Sequence, residues 1–419
     1  MKGILLVLAL SILPALTHAE GGYGEIRGNW QVGAEGEQWQ LVERFRPRFT
    51  VELAERWALF SELEVALRQG RNQLDEVKRV VQGSDLGPIL ESAGYQWPQE
   101  ENDFLKISRA QDYLEVARLY VDWYHPSFDF RVGRQSIYWG SAAFLNPTDP
   151  FPEFLIAEPW RPRRGLNAGR ISIPIGEDSD LMVVLGGNDT FTHFRAASRF
   201  RTTAALADIS VVGAYRGDDG DGLIGIDLRG TYGVGYWVES ALWSSNWASF
   251  DVAVGFDYSV EGLFEGLIVM AQYYYNGRGT TDVTASASSL GLDLDALAGN
   301  TMVDTPSFGP ILQGKHYGMT ALTLALSMDT TLGTTGILNL VDHTGFFVPS
   351  LTHRPNDWLE FSITGQVPLD LNGEGGEFLP SDSELVFRQS LIEGGEPVEV
   401  DFSSLRSKAS ITVWSRFSY

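Results

Sequence analysis

Apolar and polar residues alternate with a period of two through nearly the whole chain, a pattern that strands produce and helices of period 3.6 do not. The last segment shows it plainly. Ala409, Ile411, Val413, Phe417 and Tyr419 share one register, and Lys408, Ser410, Thr412, Trp414, Arg416 and Ser418 share the other. One face is apolar and ends in aromatics while the other carries two cations, as expected of a strand with lipid on one side and water on the other. Read along the chain, the alternation marks strands at 23–32, 39–53, 57–68, 113–124, 128–137, 166–175, 180–187, 194–203, 206–216, 222–230, 232–243, 249–259, 264–276, 316–328, 332–341, 346–353, 357–368 and 408–419. The fold predicted is all-β, a single transmembrane antiparallel β-barrel of about 18 strands. Glycines and Tyr273-Tyr274-Tyr275 blur the eleventh, thirteenth, fifteenth and sixteenth strands, and losing a pair would leave 16.

The connections supply a second test. In a bacterial barrel both chain ends lie on the periplasmic side, so connections after odd-numbered strands face outward. The long ones, 69–112, 138–165, 277–315 and 369–407, follow strands three, five, thirteen and seventeen. Those after even strands are brief, such as Ala54 to Arg56 and His125 to Ser127. Long outer loops and short periplasmic turns are therefore expected.

The N-terminus has the form of an export signal. Lys2 precedes an apolar run from Ile4 to Leu16, and Thr17-His18-Ala19 follows with small residues where a signal peptidase cleaves. Residues 1–19 are expected to be removed, leaving 20–419 as one barrel. No later apolar run approaches the ~18 residues of a membrane-spanning helix. The expected location is the outer membrane of a Gram-negative bacterium, with lipid, lipopolysaccharide and the barrel assembly machinery as partners and a homo-oligomer as an open option. Phe417 and Tyr419 are the candidate assembly signal.

Composition narrows the function. The chain has 45 glycines, 12 tryptophans, 15 tyrosines and 23 phenylalanines, suited to many short strands with interfacial aromatic girdles. Trp57, Trp123, Tyr258, Trp358 and Tyr419 fall near periplasmic turns, and Trp139, Tyr215, Trp243 and Trp247 near outer loops. The absence of cysteine excludes disulfides, thiolate metal sites and covalent haem attachment. A net charge of −23 argues against nucleic acid. The run Asp218-Asp219-Gly220-Asp221-Gly222 lacks the terminal acidic ligand of a calcium loop, since position 230 is glycine. No metal and no cofactor are expected. Six histidines, His18 among them, stand in no serine or aspartate constellation, so an enzyme is not expected.

Taking the apolar register as lipid-facing assigns the rest to the lumen. Candidate pore-lining residues are Arg44, Arg46, Arg48, Arg118, Arg131, Arg170, Arg195, Arg199 and Arg201. Lumenal acids gather at Glu62, Glu64, Asp227, Glu239, Asp251 and Asp257, which predicts a pore polarised from one wall to the other. The arginines have two readings: pairing across strands with Glu62 and Glu64, or a field that draws anions through the channel.

Strand five runs into Arg131-Val132-Gly133-Arg134-Gln135-Ser136-Ile137-Tyr138-Trp139-Gly140, followed by Asn146-Pro147-Thr148-Asp149-Pro150-Phe151. This resembles the Gly-Arg-Gln, Trp-Gly and Asn-Pro-x-Asp pattern of porin-like proteobacterial outer-membrane families. Leu338 to Gly345 resembles the Asn-Leu-Asp-Asp-Gly-Ser turn of the same group, with His343 and Thr344 departing from it. The resemblance implies a barrel and leaves the solute open. Gly133 and Gly140 would let another backbone approach the wall, with Arg134 and Gln135 as donors to hold it. Loop 138–165 is thus the candidate constriction, with Asp149, Glu153 and Glu158 facing the arginines. The function expected is a porin-like channel for small hydrophilic, anionic solutes. The alternatives are export of an alginate-like polyanion, as in alginate-export channels that are similar in kind, or a sheath around a periplasmic redox partner.

Overall fold

The computed structural model describes residues 23–32, 37–70, 83–84, 102–103, 106–109, 112–151, 165–187, 194–205, 207–217, 220–244, 249–281, 312–379, 386–389, 398–401 and 409–418. The expected signal segment, Glu153, Glu158, Trp247 and Tyr419 lie outside them.

Eighteen strands form one antiparallel sheet: β1 (Tyr23–Val32), β2 (Glu37–Arg46, continued by Arg48–Ala54), β3 (Trp57–Gly70), β4 (Asp112–His125), β5 (Phe128–Gln135), β6 (Leu166–Ile175), β7 (Ser179–Gly187), β8 (Phe194–Ala204), β9 (Ala207–Arg216), β10 (Gly222–Tyr232), β11 (Val234–Trp243), β12 (Phe250–Val260), β13 (Gly266–Tyr275), β14 (His316–Ser327), β15 (Thr330–Asn339), β16 (Thr344–Asn356), β17 (Leu359–Asp370) and β18 (Ser410–Ser418). Each pairs with its sequence neighbours, and β1 pairs with β18 from Tyr23 opposite Ser418 to Gln31 opposite Ser410, which closes the barrel. All the expected strands are present, the blurred four included. A small hairpin (Asn102–Asp103 with Lys106–Arg109) extends the sheet beside β4, and Val386–Gln389 pairs with Val398–Asp401 in the connection after β17.

Two departures from the expected boundaries have local causes. Pro47 divides β2 because it has no N–H for the ladder, although its carbonyl still accepts from the Leu63 amide at 3.0 Å. The turn between β15 and β16 begins at Asn339, two residues before the apolar pattern ends. There the Asn339 side chain accepts from the Val341 amide at 2.9 Å, and Asp342 accepts from the Thr344 amide at 2.8 Å.

The faces are inverted relative to a water-soluble protein. On β10, Ile224 and Ile226 are 57% and 49% exposed and point outward, while Leu223 and Asp227 are 1% and 7% exposed and point inward. An outward apolar belt and buried polar groups are the arrangement of a barrel whose solvent outside is lipid. Trp57 and Trp123 stack at 5.6 Å beside the turns joining β2 to β3 and β4 to β5, as girdle aromatics do. Trp139 and Trp243, expected in the opposite girdle, are instead buried inside. Trp243 shares the inward register of Glu239 and donates its indole N–H to Asp251 at 2.9 Å.

Candidate functional site: a docked loop and a lumenal arginine girdle

The segment after β5 folds back into the barrel and packs against the inner wall. Ile137, Trp139 and Phe151 join an apolar cluster with Ala168, Val184, Ala197, Val212, Leu223, Ala241 and Trp243, and Ala142 and Leu145 join a second with Trp237, Ala253, Tyr274, Tyr317 and Met319. The loop therefore lies along the inner faces of β6 through β14. Its apolar side chains supply the buried core that the strands alone lack.

Polar contacts hold it there. Glu239 on β11, fully buried, accepts from the amides of Ser141 and Ala142 at 2.6 Å each, from the Thr148 amide at 3.3 Å and from the Thr148 hydroxyl at 2.8 Å. Asp227 accepts from the Ser141 hydroxyl, and Arg229 donates to the Ser141 carbonyl at 2.9 Å. Gln272 accepts from the Phe144 amide at 3.2 Å and donates to the Leu145 carbonyl at 3.0 Å. From the arginine side, Arg195 donates to the Pro150 carbonyl at 3.3 Å, and the Arg199 guanidinium lies 5.6 Å from the Trp139 ring centre. The carboxylates of β10 and β11 thus act as acceptors for loop main chain rather than as one pole of an open pore.

The loop is not held as the sequence suggested. Arg134 pairs with Glu115 at 2.8 Å and Gln135 donates to the Ala168 carbonyl at 2.8 Å, so both tie strands together. The two glycines allow close approach of other groups than the loop backbone, the neighbouring strand β4 at Gly133 and the loop's own Asn146 side chain at Gly140. Gly133 has φ +126° and a Cβ there would stand 2.3 Å from the Leu119 carbonyl; Gly140 has φ +93° and would clash with Asn146. Two further glycines went unrecognised. A Cβ on Gly225 would meet the Thr148 side chain at 2.9 Å, and one on Gly255 would meet the Trp237 ring at 2.4 Å. The available signal was their position in the inward register. Asp149 is buried in the loop and accepts from the Phe151 amide at 3.0 Å.

The predicted pore-lining arginines fall into two groups. Toward the loop end, Arg44 and Arg46 are buried, pairing with Glu64 at 3.2 and 2.5 Å, and Arg46 also reaches Glu62 at 3.3 Å. Toward the turn end the guanidiniums reach water. Arg48 and Arg118 approach Glu62 at 3.8 and 3.9 Å, Arg131 binds Asp122 with two nitrogens, and Arg199 and Arg201 share Asp180 at 3.5 and 2.8 Å. The same level carries Arg229 paired with Asp257, and Arg354 and Arg416 paired with Glu360, none of them on the predicted wall. Arg48, Arg201, Arg229, Arg354 and Arg416 have side chains between 36% and 58% exposed. Cations therefore surround the turn-end half of the lumen instead of facing acids across it.

At the loop end, residues 371–379 fold over the barrel mouth and insert Glu377. Its carboxylate accepts from the Tyr317 hydroxyl at 2.5 Å, the Gln313 amide at 2.8 Å and the Asn339 side chain at 2.8 Å, while its own amide donates to Asp342 at 2.7 Å. Burial pushes the Glu377 carboxyl above its ordinary range, partly opposed by these donors.

No sequence-family model matches the chain, and no curated protein matches it. Solved structures do resemble it. Wzi of Escherichia coli, described as an outer membrane protein involved in group 1 capsule assembly and a carbohydrate binding β-barrel, superposes with a TM-score of 0.53 at 8% identity, over 99% of this chain and 88% of its own. Pseudomonas aeruginosa OccK8 (OprE) gives 0.52 at 8% identity over 96% and 98%, and Acinetobacter baumannii OccAB4 gives 0.52 at 6% over 95% and 97%. The chain thus has the fold of outer-membrane β-barrels, a likeness of architecture alone.

Proposed function

We propose that the chain is an outer-membrane channel passing small hydrophilic anions, narrowed by the docked segment 138–151 and selected by the arginine girdle. The observation that carries this reading is the ring of water-reaching guanidiniums from Arg48 on β2 to Arg416 on β18, eight among the described residues, which outnumber the five carboxylates they pair with, Glu62, Asp122, Asp180, Asp257 and Glu360. Excess fixed positive charge in a confined aqueous path concentrates anions and repels cations. The fold shared with OccK8 and OccAB4 is compatible with conduction. The girdle lies on the turn side, where the termini of the described barrel also lie, and so on the periplasmic side of the membrane.

The test is the reversal potential of the purified barrel in planar bilayers under a potassium chloride gradient. Anion preference is expected, weakening as salt rises because the girdle is screened. Cation preference would overturn the reading. Absence of current together with copurification of a haem protein would favour a sheath, and passage of alginate oligomers but not small anions would favour polyanion export.

A further inference from the structure

The inner wall from β3 to β6 carries planar groups side by side near the turn end. The Phe60 and Tyr120 rings stack at 4.8 Å with planes 12° apart, and the Arg131 guanidinium lies 3.8 Å from the centre of the Tyr120 ring. Asp122 holds Arg131 in that position through Nε at 2.5 Å and Nη2 at 2.8 Å, a bidentate contact that commits the carboxylate. Arg170 stands directly opposite Arg131 in the β5–β6 ladder. Like charges directly opposite on one face are unfavourable. Among the described residues Arg170 has no ion pair: Asp122 and Asp129 act on it only through space, against Arg131.

Arg118 lies two residues before Tyr120 on β4, in the same inward register, and is weakly neutralised. Its partner Glu62 is 3.9 Å away and is shared with Arg46 and Arg48. The Tyr120 phenol lies in the field of Arg131, opposed by Asp122, and of Arg118 and Arg170. Three cations thus share the inward face around the Tyr120 ring, with one carboxylate spent on orienting the middle cation.

We infer that Arg118, Arg170 and the Tyr120 hydroxyl form a binding site for a doubly charged oxyanion, a phosphate or a dicarboxylate, on the path through the barrel. Arg131 is its positioning residue, holding Tyr120 from above while Phe60 supports it from below. A planar guanidinium fork suits two oxygens of one group, which a spherical chloride lacks. The inference rests on the anion-channel reading for its purpose and on the side-chain geometry for its existence.

Calorimetric titration of the detergent-solubilised full barrel tests it, with inorganic phosphate and succinate as probes in separate arms and acetate as the singly charged comparison. Saturable binding of phosphate, succinate or both, with acetate weaker, is expected. Arg170→Gln is expected to weaken that binding about tenfold or more, the loss of one charge-assisted contact. Lys315→Gln removes one positive charge at the loop end and is expected to leave it unchanged. Absence of binding by wild type, equal binding of acetate, or equal losses in the two variants would overturn the site. A barrel that binds phosphate without anion preference in bilayers fails the channel reading and keeps the site; an anion-selective barrel without oxyanion binding does the reverse.

Discussion

On the β2–β4 wall the buried carboxylates Glu62 and Glu64 meet guanidiniums of adjoining strands, whereas on the β11 wall the equally buried Glu239 meets three main-chain amides and a hydroxyl from the loop above it. Both walls place acid in the inward register, and the partners differ. Where the partner is a neighbouring strand, the charges pair within the sheet and stiffen the wall. Where it is loop main chain, the carboxylate becomes a dock that orients a whole segment across the lumen. An inward acid that no guanidinium pairs with thus marks a place where backbone can be received.

The comparison breaks most visibly at Glu239. Glu239→Leu leaves the amides of Ser141, Ala142 and Thr148 and the Thr148 hydroxyl without their acceptor, costing the docked position about 3 kcal/mol. That corresponds to a shift on the order of a hundredfold toward undocked loop. Larger and noisier single-channel currents are expected, with the barrel still formed. Unchanged conductance would show that the loop does not limit the path, and collapse of the barrel would show that the core needs it docked.

The opposite wall should answer differently. Glu62→Gln removes the charge that Arg46, Arg48 and Arg118 share while keeping a neutral acceptor of the same shape. Its cost is about 2 kcal/mol, because the guanidiniums lose neutralisation but not every hydrogen bond. Conductance should remain near wild type while anion preference rises, read as a larger reversal potential. Looser gating resembling the Glu239 variant would erase the distinction between the walls.

The barrel was legible because lipid outside and polar contents inside force each spanning strand to alternate, so that strand number, closure and loop parity follow from pattern. The site was legible only as far as register reaches. Alternation places Arg46, Glu239 and Gly225 inward but does not say what stands across the lumen, so Glu239 read as one pole of a field and Gly225 as an ordinary glycine. Trp243 shows a signal passed over. Its register matches Glu239, which puts it inside, yet nearness to the outer connection suggested a girdle. The cations of β10 and β16 were missed, and Arg416 of β18 was read as water-facing without being joined to them, because alternation groups charges by strand, whereas closure brings distant strands around one opening.

The smallest expected effect sharpens the comparison at the loop end, where Glu377 is again a buried acid receiving donors, now with Asp342 beside it and the Tyr317 hydroxyl bound to it. Burial raises the Glu377 carboxyl above its value in an opened segment, so the closed clasp binds more protons than the open one. Its closure is therefore most favoured below the ordinary carboxylate range and weakens as pH climbs through the raised value. Hydrogen exchange at the Gln313, Gly314 and Glu377 amides, corrected for intrinsic rates, should show protection falling from acid to neutral pH, with the amides of β11 unaffected. Glu377→Gln should flatten the dependence, since the neutral amide cannot titrate. Protection that rises with pH, or a dependence that survives in Glu377→Gln, would assign the titration to another group and leave the clasp a static cover.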